Sequence, residues 1–311
     1  MKLSQSISLW ISVLFSVLAL VLLVFVLDVE SLNPAEYSIQ WSFFGVSSGL
    51  FLANYLFRSA RFREFLKGEI RYKILFSISL VHGALNYFFP VKAGELSFPL
   101  LSKVFLGRAL LESGVALIVC RVLDLILVLV LFALVLLFLD SGKELFTNFG
   151  FNEIGVWWFF LAMVLVLGGA LFFINKKFDM YKRLLMQISY VLDGGGPMIA
   201  RLAVSTVIIW FCILGNFYFL VLCLGYQVPL TAVVVISVIM TPLSMIPLQG
   251  VANIGIFELG WVSGLVLFGF SNNESLEIAV KVHVMLTVQV VFILVLGAFL
   301  LVMGRLVDRY A

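Results

Sequence analysis

Seven ionisable residues, Lys92, Glu95, Lys103, Arg108, Glu112, Arg121 and Asp124, sit in a stretch otherwise apolar enough for a membrane. Each such group costs at least about 2.5–3.5 kcal/mol at a bilayer centre, so each needs a partner or wet surroundings. The stretch begins N-Y-F-F-P-V-K-A-G-E at 86–95, where Pro90 and Gly94 signal a break in a helix. A second segment, P-L-Q-G-V-A-N-I-G-I-F-E at 247–258, follows a similar plan: Pro247, then Gly250, Gly255 and Glu258. Broken backbone at membrane depth is tolerated where it is buried in protein or lines a water-filled cavity. The half-helix after each break presents free N–H groups and a positive dipole end, which suit a carboxylate or a phosphate. Asn86, Gln249 and Asn253 flank the breaks and can satisfy the backbone groups freed there. Arg121 and Asp124 are three apart on one helical face and can pair with each other. Kinks in full-length helices, with the charges turned toward neighbouring helices, are the alternative arrangement.

The elements that must position these residues follow from composition. The 311 residues are 63% apolar and 12% charged, against about 25% charged in soluble domains. That makes the chain a polytopic, all-α membrane protein, expected as one integral domain over 1–311. The longest gap between apolar runs, 175–201, is too short for a soluble enzyme. Cys120, Cys212 and Cys223 lie in apolar runs without C-x-x-C spacing, and His82 and His283 form no metal motif. Neither a metal nor a cofactor is expected. No G-x-x-x-x-G-K-[ST] motif is present, so any uphill work needs an ion gradient or a partner. Nothing points to nucleic acid.

Full spans are expected near 7–27, 38–57, 113–139, 154–174, 201–224 and 278–303. The segments 74–110 and 230–270 have arms too short for a full crossing, about 20 residues being needed. They are expected as two re-entrant hairpins of opposite orientation, an arrangement typical of inverted-repeat transporters. Of the 20 Lys and Arg, 14 fall in segments this layout puts in the cytoplasm, with both termini there. Within the basic run 58–73, Phe62, Phe65, Leu66 and Ile70 recur at helical spacing, which predicts an amphipathic helix in the headgroup layer. A similar helix is expected at 181–188. Lys281 and His283 are expected to cap or snorkel near the outer end of the last span.

At the two breaks and at R-V-L-D (121–124) the sequence resembles the lysylphosphatidylglycerol synthase transmembrane-region family, the flippase-like half of the bacterial multiple peptide resistance factor and its stand-alone relatives. The family pattern is Asn-x-x-x-Pro-x-Arg-x-Gly-Glu, then Arg-x-x-Asp, then a Pro-Gly-rich segment ending in Glu. Here Lys92 replaces the usual Arg, Phe98 stands where Arg is frequent, and Cys120 precedes Arg121 where Glu is common. The resemblance implies translocation of a polar lipid between leaflets of a prokaryotic plasma membrane. Its substrates would be membrane lipids: anionic or aminoacylated phospholipid, glycolipid or isoprenoid-linked lipid. Lys92 and Arg121 would contact the lipid phosphate in a midplane polar cavity. Glu95, Asp124 and Glu258 would hold those cations or receive a cationic headgroup. The aminoacyl transferase domain of the two-part enzymes is not expected, so the chain is read as a transporter rather than an enzyme. Protein partners would be a second copy or a lipid-synthesis enzyme. Two other classes compete: an embedded enzyme using Glu95 and Glu258 as acid and base, and an accessory subunit.

Overall fold

The computed structural model describes residues 39–66, 70–138, 186, 189–190, 193–245 and 250–310. The expected spans at 7–27 and 154–174, most of 181–188, and the break residues Pro247 and Gln249 lie outside them. Every regular element among the described residues is helical. In chain order these are α1 (Trp41–Phe65), α2 (Tyr72–Phe88), a first 3-10 turn (Pro90–Leu96) and α3 (Ser97–Leu106). Then come α4 (Leu110–Phe138), α5 (Gly195–Cys223), α6 (Leu230–Met245), a second 3-10 turn (Val251–Asn253), α7 (Ile256–Leu267) and α8 (Asn272–Tyr310). Three helical stretches are long and apolar enough to cross a membrane: Leu110–Leu134, Gly195–Cys223 and Asn272–Gly304. The chain is therefore a membrane protein, helical throughout its described residues.

Polar and apolar residues are distributed as lipid demands. Phe211 on α5, Val295 and Phe299 on α8, and Ile126 and Val130 on α4 are large, apolar and exposed. Buried instead are Ser47, Asn54, Arg61, His82, Asp124, Glu258, His283 and Gln289. Ionisable groups in membrane proteins face the protein interior for the reason that lipid cannot solvate them.

α1 packs along α5, and α2 packs along α8. Gly297 makes the second of these contacts close, since a Cβ there would come within 3.1 Å of the Ser77 carbonyl oxygen on α2. Small residues let membrane helices approach in this way. Helices α2 and α3 pack against one another across the first turn, α6 and α7 pack likewise, and the two 3-10 turns touch.

Each turn has a local cause. Phe89, the residue before Pro90, is extended at φ −80° and ψ 128°, so α2 stops there. The chain then folds back so tightly that a Cβ on Gly94 would lie 2.4 Å from Asn86 Cα and from the Leu85 carbonyl oxygen. In the second turn Ala252 and Asn253 are left-handed at φ 54° and 62°, and Gly255 follows at φ 89°. Glycine takes the last of these at no steric cost, and α7 starts immediately after it.

The run 58–73 differs from the surface-lying helix expected of it. Its first eight residues continue α1 to Phe65 without interruption. Phe62, Phe65 and Leu66 are buried in a cluster with Leu75, Ile78 and Phe98, and the Phe62 and Phe98 rings stack at 4.1 Å. The apolar stripe is real, but it faces α2 and α3 instead of lipid headgroups.

Candidate functional site

The first turn closes over an ionic cluster drawn from four elements. Arg58 and Arg61 lie three apart on α1, and Arg121 and Asp124 three apart on α4, so each pair shares a helical face. Pairing nevertheless runs between elements. Arg61 donates from Nη1 to Asp124 Oδ1 at 2.7 Å and from Nη2 to Oδ2 at 3.0 Å. Its Nη1 also reaches Thr206 Oγ1 on α5 at 3.0 Å. The Arg61 side chain is only 2% exposed, which makes this two-pronged pairing obligatory for a charge out of water. Arg121 instead donates to Glu95 Oε1 in the turn at 2.7 Å.

The turn itself is clamped to α2. Ser97 Oγ donates to the Gly94 carbonyl oxygen at 2.6 Å, so its lone pair receives the proton on His82 Nδ1, 2.9 Å away. His82 Nε2 then faces Glu95 Oε2 at 4.0 Å. Lys92 is left-handed at φ 59° and half-buried. It lies within Coulombic reach of Arg121 and Glu95, as Arg58 does of Asp124, Arg121 and Arg61.

Among the described residues the charge in this cluster does not balance. Arg58, Arg61, Lys92 and Arg121 face two carboxylates, Glu95 and Asp124, and both carboxylates are already paired. Arg58 spends its Nε on Asn54 Oδ1 at 2.9 Å and rests over the Tyr55 ring. Among the described residues neither its Nη atoms nor Lys92 Nζ makes a hydrogen bond. Arg58 and Lys92 are thus left without a carboxylate partner among the described residues.

A second cluster closes the other turn. Glu258 on α7 and His283 on α8 meet at 2.5 Å between Oε1 and Nδ1, while His283 Nε2 lies 2.8 Å from the Ala252 carbonyl oxygen. Glu258 Oε2 accepts from the Gly255 N–H at 2.7 Å. The imidazole stacks on Phe257 at 4.4 Å and meets the edge of Tyr87 at 5.9 Å. Tyr87, on α2, bonds Thr287 at 2.6 Å. One helix, α2, therefore carries His82 toward the first cluster and Tyr87 toward the second.

Of the residues singled out by sequence, Lys92, Glu95, Arg121 and Asp124 come together in the first cluster. Glu258, with Gly255, belongs to the second, and Gly250 is buried at the start of its turn. The expected Arg121–Asp124 pair is replaced by two cross-helix pairs. Asn86 and Asn253 each keep a buried Oδ1 that has no hydrogen-bond partner among the described residues, so neither caps freed backbone through that atom. Lys281, expected to cap or snorkel, pairs with Glu277 and with Tyr226 at 3.0 Å. His283, expected to do the same, is instead central to the second turn. Arg58 and Arg61 belong to the basic run 58–73 expected in the headgroup layer, and nothing in their local spacing distinguishes them from Arg63. The usable signal is the stripe Phe62, Phe65 and Leu66, which implies that the preceding turn is buried too.

No curated protein and no solved structure matches the chain. A family model does, that of the lysylphosphatidylglycerol synthase TM region, over residues 9–297, which takes in both turns and both clusters. With nearly the whole chain matched, the protein belongs to the lysylphosphatidylglycerol synthase transmembrane-region family, a lipid-related family of membrane proteins.

Proposed function

We propose that the protein moves a phosphate-bearing lipid headgroup between bilayer leaflets, using the first cluster as its headgroup site. The observation that carries this reading is the surplus of two cations over carboxylates beside the first turn, with Arg58 Nη and Lys92 Nζ unbonded among the described residues. Uncompensated charge is costly away from water, so an anionic ligand there has an electrostatic reason to bind. A phosphate offers several acceptor oxygens, matching the fork of Arg58 and the ammonium of Lys92. Arg121 sits beside them with Glu95 holding one edge, and Asp124 fixes Arg61 as a permanent wall.

Re-entrant hairpins at about 74–110 and 230–270 belong to this reading. At 17, 10 and 12 residues, α2, α3 and α7 are each shorter than a span, which needs about 20. Both hairpins would end inside the bilayer, where the contact between their turns gives a polar route through apolar surroundings. The acyl chains would remain in lipid. One integral domain with six full spans in a prokaryotic plasma membrane, and both termini cytoplasmic, completes the arrangement. Anionic or aminoacylated phospholipids, glycolipids and isoprenoid-linked lipids all carry a phosphate or polar group suited to it.

An embedded enzyme is the second reading, favoured by the carboxyl–imidazole pair of Glu258 and His283, residue types that can act as acid and base. Reconstitution into vesicles with trace fluorescent phosphatidylglycerol and phosphatidic acid separates the two. Transport predicts leaflet exchange without chemical change, reduced about tenfold or more in the doubly substituted R58Q/K92Q protein, a loss of at least about 1.4 kcal/mol. Chemical turnover of the lipid would favour the enzyme.

A further inference from the structure

Both ring nitrogens of His283 are engaged, and their partners fix where protons lie. The Ala252 carbonyl oxygen opposite Nε2 can only accept, so Nε2 carries a hydrogen. Opposite Nδ1 stands Oε1 of Glu258 at 2.5 Å, while Oε2 of the same carboxyl is already an acceptor from Gly255. One proton must lie between Nδ1 and Oε1, on the nitrogen or on the oxygen. Without it two lone pairs would face each other at contact distance. Holding that proton the pair is neutral; without it the pair carries one negative charge in a site where both side chains are 7% exposed.

We propose that Glu258 and His283 form a proton-binding site that latches the second turn and couples its occupancy to the headgroup site. With the proton in place, Glu258 spans Gly255 and His283, and His283 spans Glu258 and Ala252. These bonds hold Ala252 and Asn253 in left-handed conformations, which alanine disfavours and asparagine tolerates. Loss of the proton to water leaves a carboxylate against the bare Nδ1 lone pair; the contact opens, and the turn is freed to relax. Because the second turn touches Pro90–Leu96, its movement reaches the segment that carries Lys92 and Glu95.

Among the described residues little else near the pair can hold or supply charge. Helices α6 and α7 contain no ionisable residue besides Glu258. α2 brings Tyr87, whose hydroxyl is bonded to Thr287, itself donating to the His283 carbonyl oxygen. On α8 the adjacent charges Glu277 and Lys281 are paired with one another and with Tyr226. Where α1 and α5 meet α8, the polar groups are the uncharged Ser47, Asn216 and Gln289. From the touching turn come Lys92 and Glu95, which is the coupling claimed.

The latch stands on its own geometry, and only its consequence for lipid rests on the transport reading. Glu258→Gln tests it, since the amide oxygen can still accept from Gly255 and the amide N–H can donate to Nδ1 with no proton to lose. Hydrogen–deuterium exchange of both proteins in nanodiscs, compared at each pH, cancels the chemical pH dependence of amide exchange. Residues 251–255 of the wild type are expected to match E258Q at acid pH and to exchange about tenfold faster at alkaline pH, with α6 unchanged. Wild-type leaflet exchange should vary over the same pH range, and that of E258Q should not. A wild-type to E258Q ratio independent of pH overturns the proton site. A titrating turn with pH-independent lipid exchange overturns the coupling alone. If R58Q/K92Q exchanges lipid normally, the headgroup reading fails while the latch stands.

Discussion

Asp124 and Arg61 differ from the cations around them in having no freedom. Removing the carboxylate strands a guanidinium that is 2% exposed. Asp124→Ala is therefore expected to cost about 3–5 kcal/mol in unfolding free energy. Replacing both members with apolar side chains of similar volume should recover most of that loss, because no charge is left buried. Denaturant titration in detergent of the two single variants and the double variant measures the coupling. Lys92 should behave in the opposite way. Its left-handed backbone costs a side-chain-bearing residue roughly 1–2 kcal/mol, which glycine avoids at a cost of roughly 0.5–1 kcal/mol elsewhere. Lys92→Gly should thus leave stability unchanged or slightly raised while lipid exchange falls. A residue kept in a strained conformation at the expense of stability is what a functional position looks like.

At the scale of elements, the two turns do the positioning. Gly94 is where the first could be lost with a single methyl group, since backbone atoms of Leu85 and Asn86 occupy the space a Cβ needs. Gly94→Ala is expected to destabilise by about 1–3 kcal/mol, although alanine ordinarily improves a helix by roughly 0.5–1 kcal/mol. Thermal unfolding of the purified variant checks the sign. These turns were legible in the sequence, because proline and glycine interrupt apolar runs for backbone reasons that need no partner. Pairing between elements was not. Arg121 and Asp124 are correctly placed on one face by their spacing, but spacing cannot reveal that Glu95 and Arg61 compete for them from other elements. Asp124 finds Arg61 across 63 positions of chain, and His283 finds Glu258 across 25.

Across the whole molecule, composition and charge distribution identified a helical membrane protein, and the family match over residues 9–297 agrees. Exposed faces of α4, α5 and α8 are apolar, while the buried ionisable residues Arg61, Asp124, Glu258 and His283 lie in the two clusters beside the touching turns. What single residues concealed was the sign of the site. Lys92 and Arg121 alone would balance the first cluster's two carboxylates, Glu95 and Asp124. The packing of α1 brings buried Arg61 and half-buried Arg58 to this cluster, and among the described residues its cations then outnumber its carboxylates. The central claim is that this surplus receives a lipid phosphate. An experimental structure in nanodiscs containing phosphatidic acid and phosphatidylglycerol tests it most directly. The account predicts phosphate density within hydrogen-bond reach, about 2.7–3.2 Å, of Arg58 Nη and Lys92 Nζ. Those nitrogens sealed against protein acceptors, with lipid phosphates confined to the outer rim of the helices, would contradict it.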